Sequence, residues 1–239
     1  MSVKYSVIVL ACNETISLEK VVNTIFLDKK NIDNVVIVSP KFATKECLLV
    51  QQKLKKKYSC ALDIFIQTKK FPGYGGAIMY GFKKIKKNCK YFIWCDGDGE
   101  TDPKVIKNMF VKIKENNSDI VSASRFLKSN ILIKNYGIFN SILTFSFQYL
   151  CRMIFEKSIT DYTVGYRMYK VSIFRKCNFK SYNQNFALES LIYFIIDKRK
   201  ISEIYYNWTK RNDGASQNNF FKKLSYFSVF WFGLKYIIK

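Results

Sequence analysis

One α/β domain, with helices on both faces of a mostly parallel central sheet, is the fold this sequence predicts. Through the first 125 residues, apolar runs of strand length alternate with segments of helical period. Some of those runs are continuous rather than alternating, as in Asn34–Val38 (NVVIV), which suits strands covered on both faces. The 239 residues are 49% hydrophobic and include only 3 Pro, enough for one large core with no Pro/Gly/Ser-rich linker.

The elements follow in order. Lys4–Ala11 is a strand. Ile16–Phe26 carries Ile16, Val21, Val22 and Ile25 at helical spacing, with Thr15 as the candidate cap. Asn34–Val38 is a strand, Ala43–Tyr58 a basic helix and Leu62–Ile66 a strand. Ala77–Lys87 is a helix expected after a glycine-rich turn, and Lys90–Cys95 is a strand that stops at Asp96. Asp102-Pro103 opens the next helix, with Asp at the cap and Pro at the first position. Asp119–Ala123 is the fifth strand. Such a βαβ order makes a parallel sheet, whose ligands sit beyond the carboxyl ends of its strands.

After Arg125 the pattern changes. A long apolar helix spans Ile138–Phe155, followed by a polar loop at Ser158–Gly165 and the segment Tyr166–Tyr169. A helix near Phe186–Lys198, a strand near Ile201–Trp208 and an aromatic helix Phe220–Ile238 close the chain. The reading is a single domain in three stretches, 1–125, 126–219 and 220–239.

Composition excludes several chemistries. There is no His, so Ser-His-Asp hydrolysis and His-ligated metal hydrolysis are ruled out. The 7 Cys include no CxxC pair and are expected to be reduced, mostly buried thiols of a cytoplasmic protein. The start of the chain does not read as a signal peptide, and no run reaches 18 uninterrupted apolar residues. The net charge of +22 predicts anionic partners, although a chain this rich in Lys, Asn, Ile, Phe and Tyr also suits an AT-rich genome. Its lysines are spread along the whole length, which argues against a nucleic-acid-binding module.

Five motifs carry chemistry. In Cys95-Asp96-Gly97-Asp98-Gly99-Glu100-Thr101-Asp102-Pro103, two carboxylates one residue apart at a strand end suit Mg²⁺ or Mn²⁺. Gly97 and Gly99 are expected to leave room for a ligand against the backbone. Phe71-Pro72-Gly73-Tyr74-Gly75-Gly76-Ala77 is either an anion cradle at a helix start or simply a tight turn. Ser124-Arg125 and Asp161 through Arg167 each set an Arg beside small residues just outside a strand, as a diphosphate fork or as a surface ion pair. Trp208 through Ser216 ends a strand with Arg211, a Gly turn and Ser216.

Taken together and in this order, these motifs resemble the family-two glycosyltransferases of GT-A fold. The nearest branch in appearance is the dolichyl-phosphate mannosyltransferase and polyprenyl-phosphate glycosyltransferase group. The likeness starts at Ser6-Val7-Ile8-Val9-Leu10-Ala11-Cys12-Asn13-Glu14 and runs through Gly81, Glu189 and Gly214 to Ser216. The resemblance implies a nucleotide-sugar donor bound by Ala11, Asn13, Glu14, Gly75, Asp96, Gly97, Asp98 and Arg125. Asp96 and Asp98 would hold the cation, and Arg211 would act on the departing diphosphate. Gly165 and Arg167 would lie on the acceptor side. It also implies sugar transfer to a lipid-phosphate or glycan acceptor, in cell-envelope or surface polysaccharide synthesis.

One departure stands out. Where the family usually has Asp-Asp-Gly-Ser, this chain reads Val38-Ser39-Pro40-Lys41, so no carboxylate is available for a base N–H. A protein that binds a nucleotide or partner without turnover is therefore the alternative reading. A nucleotidyltransferase is disfavoured, because Asn13-Glu14 stands where a Gly-rich basic loop would follow the first strand. The base candidates on the acceptor side are Asp161, which could instead cap its own loop, and Glu189, whose usual Asp neighbour is Ser190 here. The segment Phe220–Ile238 suits either a helix on an anionic membrane surface, such as the inner face of the cell membrane, or one packed on the core or in a homodimer. Ile138–Phe155 is open to the same readings.

Overall fold

The computed structural model describes residues 3–128, 137–155, 158–211, 230, 231, 233 and 234. Seven strands form: β1 (Tyr5–Leu10), β2 (Ile32–Ser39), β3 (Leu62–Ile66), β4 (Tyr91–Asp96), β5 (Ile120–Ser124), β6 (Arg167–Lys170) and β7 (Ile201–Tyr205). The helices are α1 (Ile16–Ile25), α2 (Lys45–Tyr58), α3 (Gly73–Phe82), α4 (Val105–Glu115), α5 (Ile138–Ile154), α6 (Val171–Phe174) and α7 (Phe186–Ile196). The strands make one sheet in the order β3-β2-β1-β4-β6-β5-β7.

The continuous apolar runs split cleanly between two layers. Tyr5, Val7 and Val9 of β1 and Val35 and Ile37 of β2 pack under α1, α2 and α4. Ile8, Val36 and Val38 from the same strands pack under α3, α6 and α7 on the other face. The side-chain period of 2 thus serves both covering layers at once.

Four details differ from the sequence-based expectation. β6 runs antiparallel between β4 and β5, pairing Phe92 with Tyr169 and Val121 with Met168. The 158–166 loop leaves the chain at the carboxyl end of the sheet, so a strand entering from there must run backward. Helix α3 begins at Gly73, so the glycines form its first turns rather than a turn before it. Thr15 stands at the start of α1 but makes no side-chain capping bond, whereas Thr44 accepts from the Cys47 N–H at 3.3 Å to cap α2. Helix α4 starts at Val105, preceded by a turn in which the Asp102 carboxylate accepts from the Lys104 N–H at 3.0 Å. The expected helix Phe220–Ile238 lies outside the described residues, apart from helical positions at Phe230, Trp231, Gly233 and Leu234.

Candidate active site at the carboxyl ends of the strands

β1 and β4 lie in register with Leu10 beside Asp96, so the turn after β1 meets the Asp96–Asp98 turn. The Gly97 N–H donates to the Leu10 carbonyl at 2.8 Å and ties the two together. A Cβ on Gly97 would lie 2.9 Å from Leu18 Cδ1, so its missing side chain serves packing rather than room for a ligand. Gly99 does have open space, with φ of +77°, a left-handed turn that suits glycine. Ala11 is buried, and its N–H donates to the Val38 carbonyl. Glu14 is buried too, and its carboxylate accepts from the N–H groups of Cys12 (2.6 Å) and Asn13 (3.0 Å), folding the turn around itself.

Asp98 is almost fully buried. Its Oδ1 accepts from the Glu100 N–H at 2.9 Å, and its Oδ2 pairs with Arg211 Nη2 at 2.8 Å. Arg211 Nε also donates to Glu100 Oε1 at 3.0 Å. Thr209 makes this possible: its N–H donates to the Glu100 carbonyl and its hydroxyl to the Gly99 carbonyl, which lays the segment after β7 across the Asp98 turn. The Arg211 guanidinium faces the carboxylates of Asp96, Asp98 and Glu100, and Glu14 bears on both aspartates. Burial, then Asp98, Glu100 and Glu14, push the Asp96 carboxyl well up, against the pull of Arg211. Burial and Glu100 push Asp98 up to about 6.

This donor set fits a hard divalent cation: oxygens only, with carboxylates held close at the expense of their ionised forms. Among the described residues, no group of three His, Cys, Asp or Glu converges enough to enclose an ion unaided. The fit is therefore to the Mg²⁺ or Mn²⁺ habit of taking one or two carboxylates and completing its shell with water and substrate phosphates.

The second cluster lies around the 158–166 loop. Asp161 is fully buried, and Arg125 grips it from Nε (2.7 Å) and Nη2 (2.9 Å), with Nη2 also reaching Thr163 Oγ1. Burial alone would raise the Asp161 carboxyl, but the Arg125 guanidinium holds it below the usual carboxylate range. Glu203 of β7 accepts from the N–H and hydroxyl of Thr160 and from the Asp161 N–H. Gln148 of α5 accepts from the Tyr162 N–H and donates to Thr163 Oγ1. Glu203 and Gln148 escaped the sequence reading. Each is one of several polar residues in its element, so neither stood out in the sequence.

Arg167 is fully buried, away from any open surface. It donates to Ser122 Oγ (3.0 Å), the Tyr162 carbonyl (2.8 Å) and the Ala187 carbonyl, stapling β5, the loop and α7 together. Gly165 sits in the same packing: a Cβ there would lie 3.3 Å from Trp94 Nε1. Gly75 lies where α3 meets α7, with a Cβ position 2.6 Å from Phe186 Cβ. Glu189 is buried, and each of its carboxylate oxygens accepts a backbone N–H at 2.8 Å, from Lys180 and Ser181. Ser39, at the departure from the family pattern, is fully buried, with its hydroxyl accepting from Gln51 Nε2 at 2.8 Å.

Comparison with known proteins gives the family and the fold. Residues 6–177 match the sequence profile described as glycosyl transferase family 2. The chain belongs to that family. Its GT-A-like fold is also that of glucosyl-3-phosphoglycerate synthase from Mycobacterium tuberculosis, in a crystal structure with Mn²⁺, UDP-glucose and phosphoglyceric acid. That match has a TM-score of 0.75 at 10% identity, over 98% of this chain and 80% of that one. A structure of the same synthase with Mn²⁺, UDP and glucosyl-3-phosphoglycerate gives a TM-score of 0.74 at 10% identity, over 98% and 81% of the two chains. A third, with Mg²⁺ and UDP, gives 0.70 at 11% identity, over 98% and 80%. The family is thus shown, and at the level of the family rather than of its polyprenyl-phosphate branch.

Proposed function

We propose that this glycosyltransferase moves a sugar from a nucleotide-sugar donor to an acceptor that carries its own phosphate, with Mg²⁺ or Mn²⁺ at Asp96 and Asp98. The observation that carries the reading is the crowd of carboxylates at the end of β4, bridged by Arg211. When bound, the cation neutralises charge on the donor diphosphate and on the leaving nucleoside diphosphate. The chain's own residues do the rest. Asp96 and Asp98 supply oxygen ligands. Glu14 fixes the turn after β1 that, with Ala11 and Asn13, walls the nucleotide side. Arg211, paired with Asp98 and Glu100, can exchange these carboxylate partners for phosphate oxygens.

The acceptor follows from where the two candidate bases lie. Asp161 is committed to Arg125, and Glu189 to two backbone N–H groups. A sugar hydroxyl acceptor would ask one of them for a proton transfer, whereas a phosphate is already anionic at neutral pH and asks for none. A lipid phosphate, whose phosphate oxygen is itself the nucleophile, meets that requirement; the phosphoglyceric acid bound by the synthase neighbours also carries a hydroxyl, and transfer to that hydroxyl would not. A glycan acceptor fits less well for the same reason. Arg125, Arg167 and Gly165 then act as positioning residues that shape the acceptor side. Surface polysaccharide synthesis is the process this reading suits.

The buried Ser39–Gln51 pair favours a second reading, nucleotide binding without turnover, because it offers the base no carboxylate. The test is release of nucleoside diphosphate from UDP-, GDP- and CDP-sugars with Mn²⁺, using polyprenyl phosphate, 3-phosphoglycerate and an oligosaccharide as acceptors. The proposal expects acceptor-dependent release with a phosphate acceptor. Release with none of them, alongside tight nucleotide binding, would establish the second reading.

A further inference from the structure

Helix α5 is apolar on more than the side it buries: Phe147 and Ile154 pack against the core, yet its outer face is apolar as well. Its inner face buries polar Ser141 and Gln148 along with Cys151. Its outer face carries Ile138, Phe139, Ile142, Leu143, Tyr149 and Met153, each between 43% and 74% exposed. Their spacing follows the helical period over four turns, so they form one continuous apolar stripe. Contiguous apolar surface of this kind marks an interaction site rather than the scattered exposure of ordinary surfaces.

We propose that this stripe seats the protein on an anionic lipid bilayer. Charge selects the occupant. Helix α5 carries no acidic residue, and Arg152 is its one charged side chain. The whole chain has a net charge of +22, so a second copy docked here would bring like charge to like, whereas anionic headgroups would compensate it. The mode is contact through one face. At 17 residues α5 is about 25 Å long, short of the ~30 Å hydrocarbon core, and no helix among the described residues is long and apolar enough to cross a membrane.

The seat has a consequence for the site. Gln148 holds Tyr162 and Thr163, and Arg152 donates to the Thr160 carbonyl at 2.9 Å, so α5 is bolted to the loop that carries Asp161. A bilayer on the outer face of α5 is then about one helix diameter, roughly 10 Å, from that loop. If the proposed transfer to a phosphate holds, on which this step alone rests, the acceptor is a lipid phosphate in that bilayer.

The test is co-sedimentation of the full chain with vesicles of phosphatidylcholine, alone or with one-third phosphatidylglycerol, at low and high salt. The comparison variant is Phe139→Ser/Ile142→Ser/Met153→Ser, whose fold is checked by its melting temperature. Light scattering reads the oligomeric state, and UDP binding with Mn²⁺ is measured separately. We expect at least tenfold stronger partition onto the anionic vesicles, weakened by salt, and at least a tenfold loss in the variant with unchanged UDP binding. Absence of vesicle binding, equal binding by the variant, or a dimer that the variant dissociates would each overturn the seat. Vesicle binding without nucleotide binding would leave the seat standing and remove the transferase reading.

Discussion

Replacing Asp161 with Asn should cost the fold about 3–5 kcal/mol, the usual penalty for removing one partner of a buried ion pair. The carboxylate accepts from Arg125 Nε at 2.7 Å and Nη2 at 2.9 Å, from the Arg125 N–H at 3.2 Å and from the Thr163 and Val164 N–H groups at 3.3 Å. Asn keeps the shape, removes the charge and turns a donor toward these donors. The Arg125 guanidinium, 9% exposed, is then left without its counter-charge. For a domain of this size each kcal/mol moves the melting temperature by about 2–4 °C, so a drop of roughly 6–20 °C is expected. The pair holds the Asp161 pKa below its usual value, so its stabilisation is complete above pH 4 and lost only as pH falls through the folded-state pKa. Melts of both proteins at pH 5, 7 and 9 should therefore differ by the same amount throughout. The double variant Asp161→Asn/Arg125→Met should recover part of the loss. A cost below about 1 kcal/mol, or a difference that changes between pH 5 and 9, would refute a structural pair and reinstate Asp161 as a titrating base.

Three further outcomes follow from the same geometry. Arg211→Ala should leave Mn²⁺ affinity equal or higher, since a competing cation leaves Asp98 and Glu100, while UDP affinity in the presence of Mn²⁺ falls at least tenfold by calorimetry. Asp98 is raised from 3.8 to about 6, so its ionisation as pH rises from 4 to above 6 takes stability from the cation-free fold. Mn²⁺ should therefore raise the melting temperature more at pH 7.5 than at pH 5, where protons compete, and Asp98→Asn should flatten that contrast. Glu189→Gln should lower stability by about 1–3 kcal/mol through one mismatched backbone donor, yet leave kcat on a phosphate acceptor within a few-fold. A loss of a hundredfold or more would mark Glu189 as a base.

How much of this was legible in the sequence depended on whether the cause was local. The strands of the first half announced themselves, because a strand covered on both faces must be apolar at every position. The Asp96–Asp98 turn was legible for the same reason: a polar motif straight after such a strand can only lie at its carboxyl end. β6 was not, since four residues carry no period and its place between β4 and β5 is set by where the preceding loop leaves the sheet. The role of Gly97 was hidden as well, because Leu18, which fills the space beside it, comes from another element. Arg125 and Arg167 read as functional because each stands beside small residues outside a strand, and Asp161 and Glu189 because a chain without His leaves carboxylates as the base candidates. The structure shows them held by each other or by backbone groups, and only the fold reveals such pairings. The apolar outer face of α5 sat in the sequence within an apolar helix broken by Asn140, Gln148 and Arg152, but which face looks outward is a fact of packing.

The central claim is that Asp96 and Asp98, with a divalent cation and Arg211, bind a nucleoside diphosphate. Calorimetric titration of UDP, GDP and CDP into the wild-type protein and Asp98→Asn, each with Mn²⁺ and with EDTA, tests it directly. The account predicts that at least one nucleotide binds the wild type with Mn²⁺, and that binding falls at least tenfold in EDTA and in the variant. Binding of none of the three, or equal binding in all four conditions, would contradict it.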